Sequence, residues 1–193
     1  EAMEGSLLKL HSLEDLAGEP TAQSARLVPL LEIRERLLVV DGDSAERLQA
    51  LSELLACIAE AEQPDGNPEA ALGRFRRDAE IHERLRELSG DSSESLQALE
   101  HTLLRLRNAE LAAEDHPAAL TRLTRLVEIR ERLLEVDGES VERLQSLGDL
   151  LVELGDAELQ AGDQTSAVNH YRRALEIRER QLETAGETAE SLH

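Results

Sequence analysis

Six histidines and one cysteine are the side chains of this sequence that could bind a transition metal or transfer a proton near neutral pH. They are His11, His82, His101, His116, His170, His193 and Cys57. Protein zinc sites draw their ligands from paired motifs such as CxxC or HExxH, which bring two ligands together on one turn or one helix face. Neither motif occurs, and no histidine has metal-ligand spacing from another histidine or from the cysteine. We therefore expect no metal site and no cofactor.

Acid–base and nucleophilic chemistry has no clear site either. The 41 Asp and Glu residues make carboxylate pairs common, so a pair alone indicates nothing. Nucleophile elbows and phosphate-binding loops follow β-strands, and no stretch has the alternating pattern of a strand. Cys57 lies among Leu54, Leu55 and Ile58, where we expect a buried, inert thiol. We predict that the chain is not an enzyme.

Composition restricts the class of partner. With 21 Lys and Arg against 41 Asp and Glu, the formal net charge is −20, which repels nucleic-acid phosphates and anionic lipids and favours basic or neutral partners. Phe75 and Tyr171 are the only aromatic residues, too few for base stacking. No apolar run reaches membrane-spanning length and the amino end lacks a signal-peptide pattern. We expect neither nucleic-acid nor membrane binding, and a cytoplasmic protein or a cytoplasmic fragment of a longer one.

One charged hexamer occurs four times at a spacing of 48 residues. It reads LEIRER at 31–36, AEIHER at 79–84, VEIRER at 127–132 and LEIRER at 175–180. Eleven positions after each start stands a glycine, followed two residues later by Ser or Thr and two further on by Glu. The glycines are Gly42, Gly90, Gly138 and Gly186. A glycine that ends one helix, a hydroxyl that caps the next and an acid in its first turn predict a helix boundary in each repeat.

Leucines after each boundary recur at spacings of three, four and three, which lines one face of a helix. The first such helix carries Leu48, Leu51, Leu55 and Ile58. A long coiled coil would have the same spacing, but turn residues at 63–68, 114–117 and 161–164 interrupt each repeat halfway. The sequence predicts first helices at 44–62, 92–112 and 140–160, and second helices at 20–40, 68–88, 117–136 and 164–184.

Each repeat therefore predicts a pair of antiparallel helices. A single pair leaves one apolar face exposed to water, so the pairs must stack. We predict an all-α fold that forms a single repeat domain over 1–193. It would comprise a partial unit at 1–42, three units at 43–90, 91–138 and 139–186, and the start of a further helix at 187–193.

The hexamer ends the second helix of each pair. Its isoleucine continues the apolar face, and its Glu and Arg lie four apart in the order that favours a helical ion pair, as for Glu80 and Arg84. Exposed pairs of this kind contribute only about 0.3–0.5 kcal/mol each. A ridge that recognises a ligand four times over would need the same charges, but charges at helical spacing usually face water. We interpret the hexamer mainly as scaffold.

The third unit resembles the tetratricopeptide repeat. LVELGDAELQAGDQTSAVNHYRRAL places large, small and aromatic residues at that family's spacing: Leu151, Leu154, Gly155, Gly162, Ala167, Tyr171 and Ala174. The first unit keeps most of this pattern, while the second has Arg107, Glu114 and Leu123 at three of its positions. The 48-residue period is similar to the long-helix repeats of kinesin light chains and of large bacterial signalling proteins. A HEAT-like repeat or another α-solenoid is the alternative fold.

This resemblance implies a right-handed α-solenoid, a superhelix of stacked helix pairs whose first helices line a concave groove. The groove positions that transfer to this sequence are Lys9, Glu60, His101, Leu104, Arg105, Asn108, Leu111, Val152, Asp156 and Leu159. The groove would be basic at Arg105 and acidic at Glu60 and Asp156, and His101 would face it unless it is an ordinary surface histidine. Some family members clamp a terminal carboxylate with Lys, Asn and Arg. Only Arg105 and Asn108 match here and the net acidity opposes a clamp, so we do not expect one.

The function implied by the resemblance is that of a protein-interaction module or scaffold within a larger protein. It would bind a peptide or partner protein through the groove, and its charge favours a basic partner. The alternative is a structural spacer or self-assembly domain of a multidomain signalling protein, since end units without polar caps can associate.

Overall fold

The computed structural model of the chain describes residues 20–62 and 67–191, and these residues form seven α-helices and no strand. The helices are α1 (Pro20–Asp41), α2 (Ala45–Glu62), α3 (Pro68–Ser89), α4 (Ser93–Ala112), α5 (His116–Asp137), α6 (Val141–Gln160) and α7 (Gln164–Ser191). The predicted all-α class is confirmed. The helix boundaries lie within one residue of the predicted ones, except at the end of α7.

Glycine and serine set the boundary between successive repeats, as the sequence predicts. After α1, α3 and α5 a glycine has a positive φ of 77–80°, which side chains rarely adopt: Gly42, Gly90 and Gly138. Two residues later a serine hydroxyl accepts a hydrogen bond from the third backbone N–H of the next helix, at 3.1–3.3 Å: Ser44, Ser92 and Ser140. The chain thus ends one helix and begins the next within three residues.

The fourth glycine of this column behaves differently. Gly186 lies inside α7, which continues to Ser191. The predicted helix end at 184 and the predicted new helix from 187 are therefore wrong. A glycine inside a helix costs only about 1 kcal/mol relative to alanine, so the residue by itself does not force a helix to end.

Contacts divide the chain at Gly90 into two compact units, the first ending with α3 and the second containing α4 to α7. In both units each helix packs against the next in the chain. The pairing is antiparallel: in α2 and α3, Glu62 bonds Arg74 near the turn, while Ser52 bonds His82 further from it. The division coincides with a predicted repeat boundary, and a single domain over the whole chain stays a prediction.

The four helices of the second unit follow one another as a series. Close backbone approach among the described residues of this unit joins α4 to α5, α5 to α6 and α6 to α7. Side chains bridge helices two apart, as between Arg107 of α4 and Glu153 of α6. A closed four-helix bundle would also bring α4 against α7, so this unit has the open arrangement expected of repeats.

The predicted leucine faces form the core. Every member of the three leucine columns is at most 4% exposed: Leu48, Leu51, Leu55, Ile58, Leu96, Leu99, Leu103, Leu106, Leu144, Leu147, Leu151 and Leu154. The hexamer isoleucines Ile81, Ile129 and Ile177 are buried too. Cys57 is half-buried at the edge of the first unit's core, slightly more accessible than predicted.

Near the turn of each two-helix repeat, an acidic residue of the first helix contacts a basic residue or a histidine of the second. These positions also repeat every 48 residues. Glu62 and Arg74 form two hydrogen bonds of 2.8 and 3.0 Å. Glu110 is fully buried, with its carboxylate 3.5 Å from the guanidinium of Arg122. In the last pair His170 takes the cation position, and its Nδ1 lies 2.7 Å from Glu158. We call these three contacts the hairpin pairs.

Candidate functional site

The last arginine of the hexamer bonds an acid in a turn between helices rather than the hexamer's own glutamate. Arg84 bonds Asp43, and Arg132 and Arg180 make the corresponding contacts 41 residues back, with Asp91 and Glu139. Each acceptor directly follows the glycine that ends the preceding repeat. The predicted pairing of Glu80 with Arg84 is therefore wrong, because Glu80 pairs with Arg77 instead, at 2.7 Å.

The fourth residue of the hexamer lies on the second helix of its repeat. It bonds the first helix of its own repeat, of the next one, or of both. The guanidinium of Arg130 donates to Glu100 of α4 at 2.6 Å and to the carbonyl of Ser146 of α6 at 2.5 Å. Arg34 makes the same contact with the carbonyl of Ala50. At His82 the bond runs to the hydroxyl of Ser52, at 2.9 Å. These contacts support the interpretation of the hexamer as scaffold, and they explain why its charges repeat.

One cluster has the composition of a hydrolase triad but not its geometry. Ser52, His82 and Asp78 lie together, and both Ser52 and Asp78 approach Nε2 of the histidine, at 2.9 and 3.7 Å. A catalytic triad needs the carboxylate on Nδ1, so that Nε2 can accept the serine proton. This cluster therefore cannot activate Ser52. No group of three or more metal-binding side chains comes together in the described ranges.

The predicted groove residues divide between the two units. Lys9 lies outside the described residues, and Glu60 is exposed on α2 of the first unit. The other eight lie in the second unit, on α4 and α6: His101, Leu104, Arg105, Asn108, Leu111, Val152, Asp156 and Leu159. All eight are exposed or half-buried, unlike the leucine columns of the same helices. We call these eight residues the α4/α6 face, and its role as a groove stays a prediction.

An ion pair that the sequence pattern did not reveal joins the two helices of this face. Nη1 of Arg107 lies 2.9 Å from both carboxylate oxygens of Glu153. The same guanidinium donates to the side-chain oxygen of Asn108 at 3.1 and 3.3 Å. Arg107 stands at the repeat position that Gly155 holds 48 residues later, and its long side chain reaches across to α6. This bond occupies the side-chain oxygen of Asn108, whereas a carboxylate would accept from its amide N–H groups, so the absence of a carboxylate clamp stays a prediction.

Asp156 contacts Tyr171, the aromatic residue of the repeat at 139–186. The hydroxyl of Tyr171 donates to Asp156 at 2.6 Å, and this hydrogen bond raises the pKa of Tyr171 above its usual value. The ring lies against Gly155, where an added Cβ would come within 2.8 Å of the ring carbon Cε1. Gly155 thus permits close approach of the Tyr171 ring, and Tyr171 holds an acidic group of the face in position.

An apolar cavity opens beside the carboxyl end of the α4/α6 face. It has a volume of ≈ 430 Å³ between α4, α5 and α6, and Leu111, Leu120, Leu123 and Ala157 line it together with Ala119, Pro117, His116, Gln160 and Ala161. Leu111 is 41% exposed at this cavity. Three wall residues are small alanines, and Leu123 takes the position that Phe75 and Tyr171 hold in the other two full repeats. These smaller side chains leave space that a ligand side chain could fill. Sequence reasoning identified Leu111 but missed the cavity, since its walls come from three helices.

A second cavity, with a more polar lining, lies in the compact unit that ends at Gly90. It has a volume of ≈ 680 Å³ and is lined by both apolar and charged residues from α1, α3 and the start of α2, including Leu38, Ile81, Arg77 and Arg84. Both arginines already bond carboxylates, Arg77 with Glu80 and Arg84 with Asp43 and Glu87. The hydrogen bonds to Glu87 and Asp43 raise the pKa of Arg84. Its guanidinium is therefore already engaged by carboxylates of the chain itself. The cavity is therefore a less favourable site for an external ligand than the apolar one.

No helix in the described part of the chain is both long and apolar enough to cross a bilayer.

Comparison with known proteins gives structural likenesses only. The chain matches no protein-family model and no curated protein. It is similar to BtubC (BKLC) from P. vanneervenii, with 19% identity over 92% of this chain and 75% of that chain and a TM-score of 0.48. It is also similar to a Rap protein complexed with competence and sporulation factor, with 16% identity, 89% and 51% coverage and a TM-score of 0.44. For MamA from Desulfovibrio magneticus RS-1 the values are 16% identity, 92% and 96% coverage and a TM-score of 0.30.

This chain spans about half the length of the Rap protein. At such identities none of these structures carries a partner or an activity over to it.

Proposed function

We propose that the chain is a protein-interaction module that binds an extended peptide or a partner helix on the α4/α6 face. The observation that carries this proposal is the apolar cavity beside Leu111 at the end of a face of mixed charge. Peptide recognition commonly combines an apolar anchor in a pocket with polar groups that fix orientation. Here the cavity would take the anchor, and the flanking polar groups are His101, Arg105 and Asp156.

The charge of the chain sets the chemistry of the peptide. A net charge of −20 favours encounter with neutral or basic segments and disfavours acidic ones. Asp156 on α6, whose partner is the Tyr171 hydroxyl, adds local negative charge near the cavity, whereas Glu153 is paired with Arg107. The proposed ligand is therefore a segment with one large apolar side chain and basic or neutral flanks.

A random peptide library displayed on phage tests the proposal, because selection from it does not require the natural partner. Peptides enriched on the wild-type chain are synthesised, and their affinity is measured by fluorescence anisotropy. Leu111→Asp should weaken binding by about tenfold or more, since loss of an apolar anchor contact costs at least about 1.4 kcal/mol.

Val136→Asp is the matched control. Val136 has the same 41% exposure as Leu111 and lies in the same unit, but not at the cavity. The control should bind with wild-type affinity, and acidic flanks should be depleted among the enriched peptides. Equal affinity of Leu111→Asp and wild type, or failure of the library to yield any saturable ligand, would contradict the proposal.

A further inference from the structure

Both aromatic side chains of this protein stand at one position of the repeat. Phe75 and Tyr171 lie two periods of 48 residues apart, each on the second helix of its repeat. Phe75 is 2% exposed, and the ring of Tyr171 lies against Gly155 of the first helix. In each of these repeats an aromatic ring therefore takes part in the packing of the helices.

The repeat between them, at 91–138, has no ring at this position. Leu123 stands there, and Arg107 stands where the other two repeats have the small residues Ala59 and Gly155. The long side chain of Arg107 does not replace the missing interior volume, because its guanidinium extends to Glu153 of α6. The apolar cavity of ≈ 430 Å³ lies beside Leu123. This repeat therefore has the position of the ring without the ring.

The cavity also lies in the direction that a ring at position 123 would take. Side chains on a helix lean toward its amino end, so this ring would lie over Ala119 and Leu120. Both residues line the cavity, together with Leu123 and, on α6, Ala157. Ala119 and Leu123 are buried and form its floor. All four side chains are aliphatic, so the cavity has apolar walls where the repeat pattern places an aromatic ring.

We infer that this cavity receives a phenylalanine side chain of the partner, which supplies the ring that the repeat lacks. The inference rests on the proposed function and names the anchor residue of the ligand. An entering ring has its tip toward Ala119 and Leu123, whose side chains cannot accept a hydrogen bond. Phenylalanine is therefore favoured over tyrosine, because a buried hydroxyl without a partner is costly.

The rim of the cavity and the charge of the chain define what surrounds the anchor. His116 and Gln160 are exposed at the rim, and their side chains can hydrogen-bond the backbone of an extended ligand. Among the lining residues only His116 can carry a charge, which favours an uncharged anchor. The net charge of −20 favours neutral or basic residues on both sides of it. The occupant is therefore a segment with phenylalanine between neutral or basic flanks.

Two phage-displayed peptide libraries, identical except for a central residue fixed as phenylalanine or leucine, test this inference on the whole chain. The phenylalanine library should yield saturable ligands. Replacing the central residue of such a peptide with leucine or tyrosine should weaken its binding about fivefold or more in fluorescence anisotropy.

The outcomes separate this inference from the proposed function. If the leucine library yields ligands of equal affinity that Leu111→Asp still weakens, the phenylalanine anchor is wrong although the proposed function stands. If neither library yields a saturable ligand, both are wrong.

Nuclear magnetic resonance of the leucine methyl groups shows where the ring lies. The chain has only two aromatic residues, so ring-current shifts from a bound phenylalanine are easily recognised. The methyl signals of Leu120 and Leu123 should move upfield when the phenylalanine peptide binds, and should not do so when cyclohexylalanine replaces its anchor. Leu96, at the other end of α4, is the internal control and should not move. Saturable binding without an upfield shift at Leu123 would overturn the inference.

A double substitution supplies the missing ring from the chain itself. Arg107→Ala with Leu123→Phe reproduces in this repeat the residue types of Ala59 and Phe75. The new ring should occupy the cavity, so the phenylalanine peptide should bind about tenfold or more weakly than to Arg107→Ala alone, which keeps the cavity. Circular dichroism checks that both variants are folded, and the methyl shifts do not depend on either of them. Equal affinity of the two folded variants would overturn the inference.

Discussion

Tyr171 is the only tyrosine of the chain and there is no tryptophan, so its ionisation can be followed alone by near-ultraviolet absorbance. Its pKa is raised, first by its hydrogen bond to Asp156 and then by burial and the negative charge nearby. A raised pKa means that the neutral phenol is favoured in the folded state. The bond therefore contributes stability below the pKa of tyrosine in the unfolded chain, and this contribution is lost as pH rises through the folded-state pKa.

Removing the acceptor should shift this titration. In Asp156→Ala the pKa of Tyr171 should fall toward the ordinary value of about 10. Asp149→Ala is the control, since Asp149 is also on α6 but pairs with Arg178. A spectrophotometric titration in which both variants behave as wild type would exclude the Asp156 contact. The result also bears on ligand binding, since Asp156 lies on the α4/α6 face.

Two glycines of α6 offer a direct test of packing. An alanine Cβ at Gly155 would lie 2.8 Å from Cε1 of Tyr171, while at Gly148 the nearest atom would be Cγ of Arg178 at 3.5 Å. Both substitutions gain up to about 1 kcal/mol of helix propensity. At Gly155 the ring must move and its hydrogen bond must weaken, and overpacking of this kind costs about 1–3 kcal/mol.

We therefore expect Gly148→Ala to be at least as stable as wild type in urea unfolding followed by circular dichroism. Gly155→Ala should be less stable than Gly148→Ala by about 2 kcal/mol. Equal stability of the two variants would mean that the Tyr171 ring does not pack on Gly155.

At the scale of helices, the hairpin pairs place charge inside each pair of helices. Glu110 is fully buried beside Arg122, and removing one partner of such a pair leaves the other without compensation. Glu110→Ala should cost about 2–3 kcal/mol in the free energy of unfolding, the side chain of Arg122 being partly able to reach water. Glu153→Ala removes an exposed partner of Arg107 and should cost less than about 1 kcal/mol.

Replacing both members with leucine distinguishes charge from shape. Glu110→Leu with Arg122→Leu should recover most of the loss, because apolar substitutes of similar size often match a buried ion pair in stability. Urea unfolding of the single and double variants measures the difference. A Glu110→Ala variant as stable as Glu153→Ala would show that the buried pair contributes nothing.

The hairpin pairs also show what sequence patterns can and cannot give at this scale. Helix boundaries depend on local signals such as Gly90 and Ser92, and the core depends on the spacing of the leucines. The structure confirms both predictions. Glu62 and Arg74 recur with the same 48-residue period, so their columns are visible in the sequence. Their contact depends on the antiparallel register of two helices, which no local spacing reveals. For the same reason the sequence pattern pairs Arg84 with Glu80, its helical neighbour, although Arg84 bonds Asp43 of an earlier turn.

The end of α7 illustrates a second limit. The residues around Gly186 match the boundary residues of the earlier repeats, yet the helix continues through them. Gly42, Gly90 and Gly138 have a positive φ and each follows the end of a helix, whereas Gly186 stays helical. A glycine costs only about 1 kcal/mol inside a helix, so the residue pattern alone does not fix where the helix ends. The predicted groove is likewise not fixed by local pattern, since its residues come from several helices.

Net charge determines how the whole molecule responds to salt. Forty-one acidic residues against 21 basic ones leave a charge of −20 at neutral pH, and this self-repulsion opposes the compact state. The surface ion pairs act in the opposite direction, but each contributes only about 0–1 kcal/mol. Added salt screens both. Because the excess charge exceeds what the pairs offset, we expect the thermal midpoint to rise with sodium chloride concentration at pH 7.

Repeating the measurement near the isoelectric point of ≈ 4.6 provides the control. There the net repulsion vanishes, whereas carboxylates in general are still partly ionised and can form ion pairs. Added salt should then leave the thermal midpoint unchanged or lower it, so the salt effect changes sign or disappears between the two pH values. Differential scanning calorimetry at low and moderate salt measures all four conditions. A midpoint that falls with salt at pH 7 would mean that the repeated ion pairs between helices outweigh the excess negative charge.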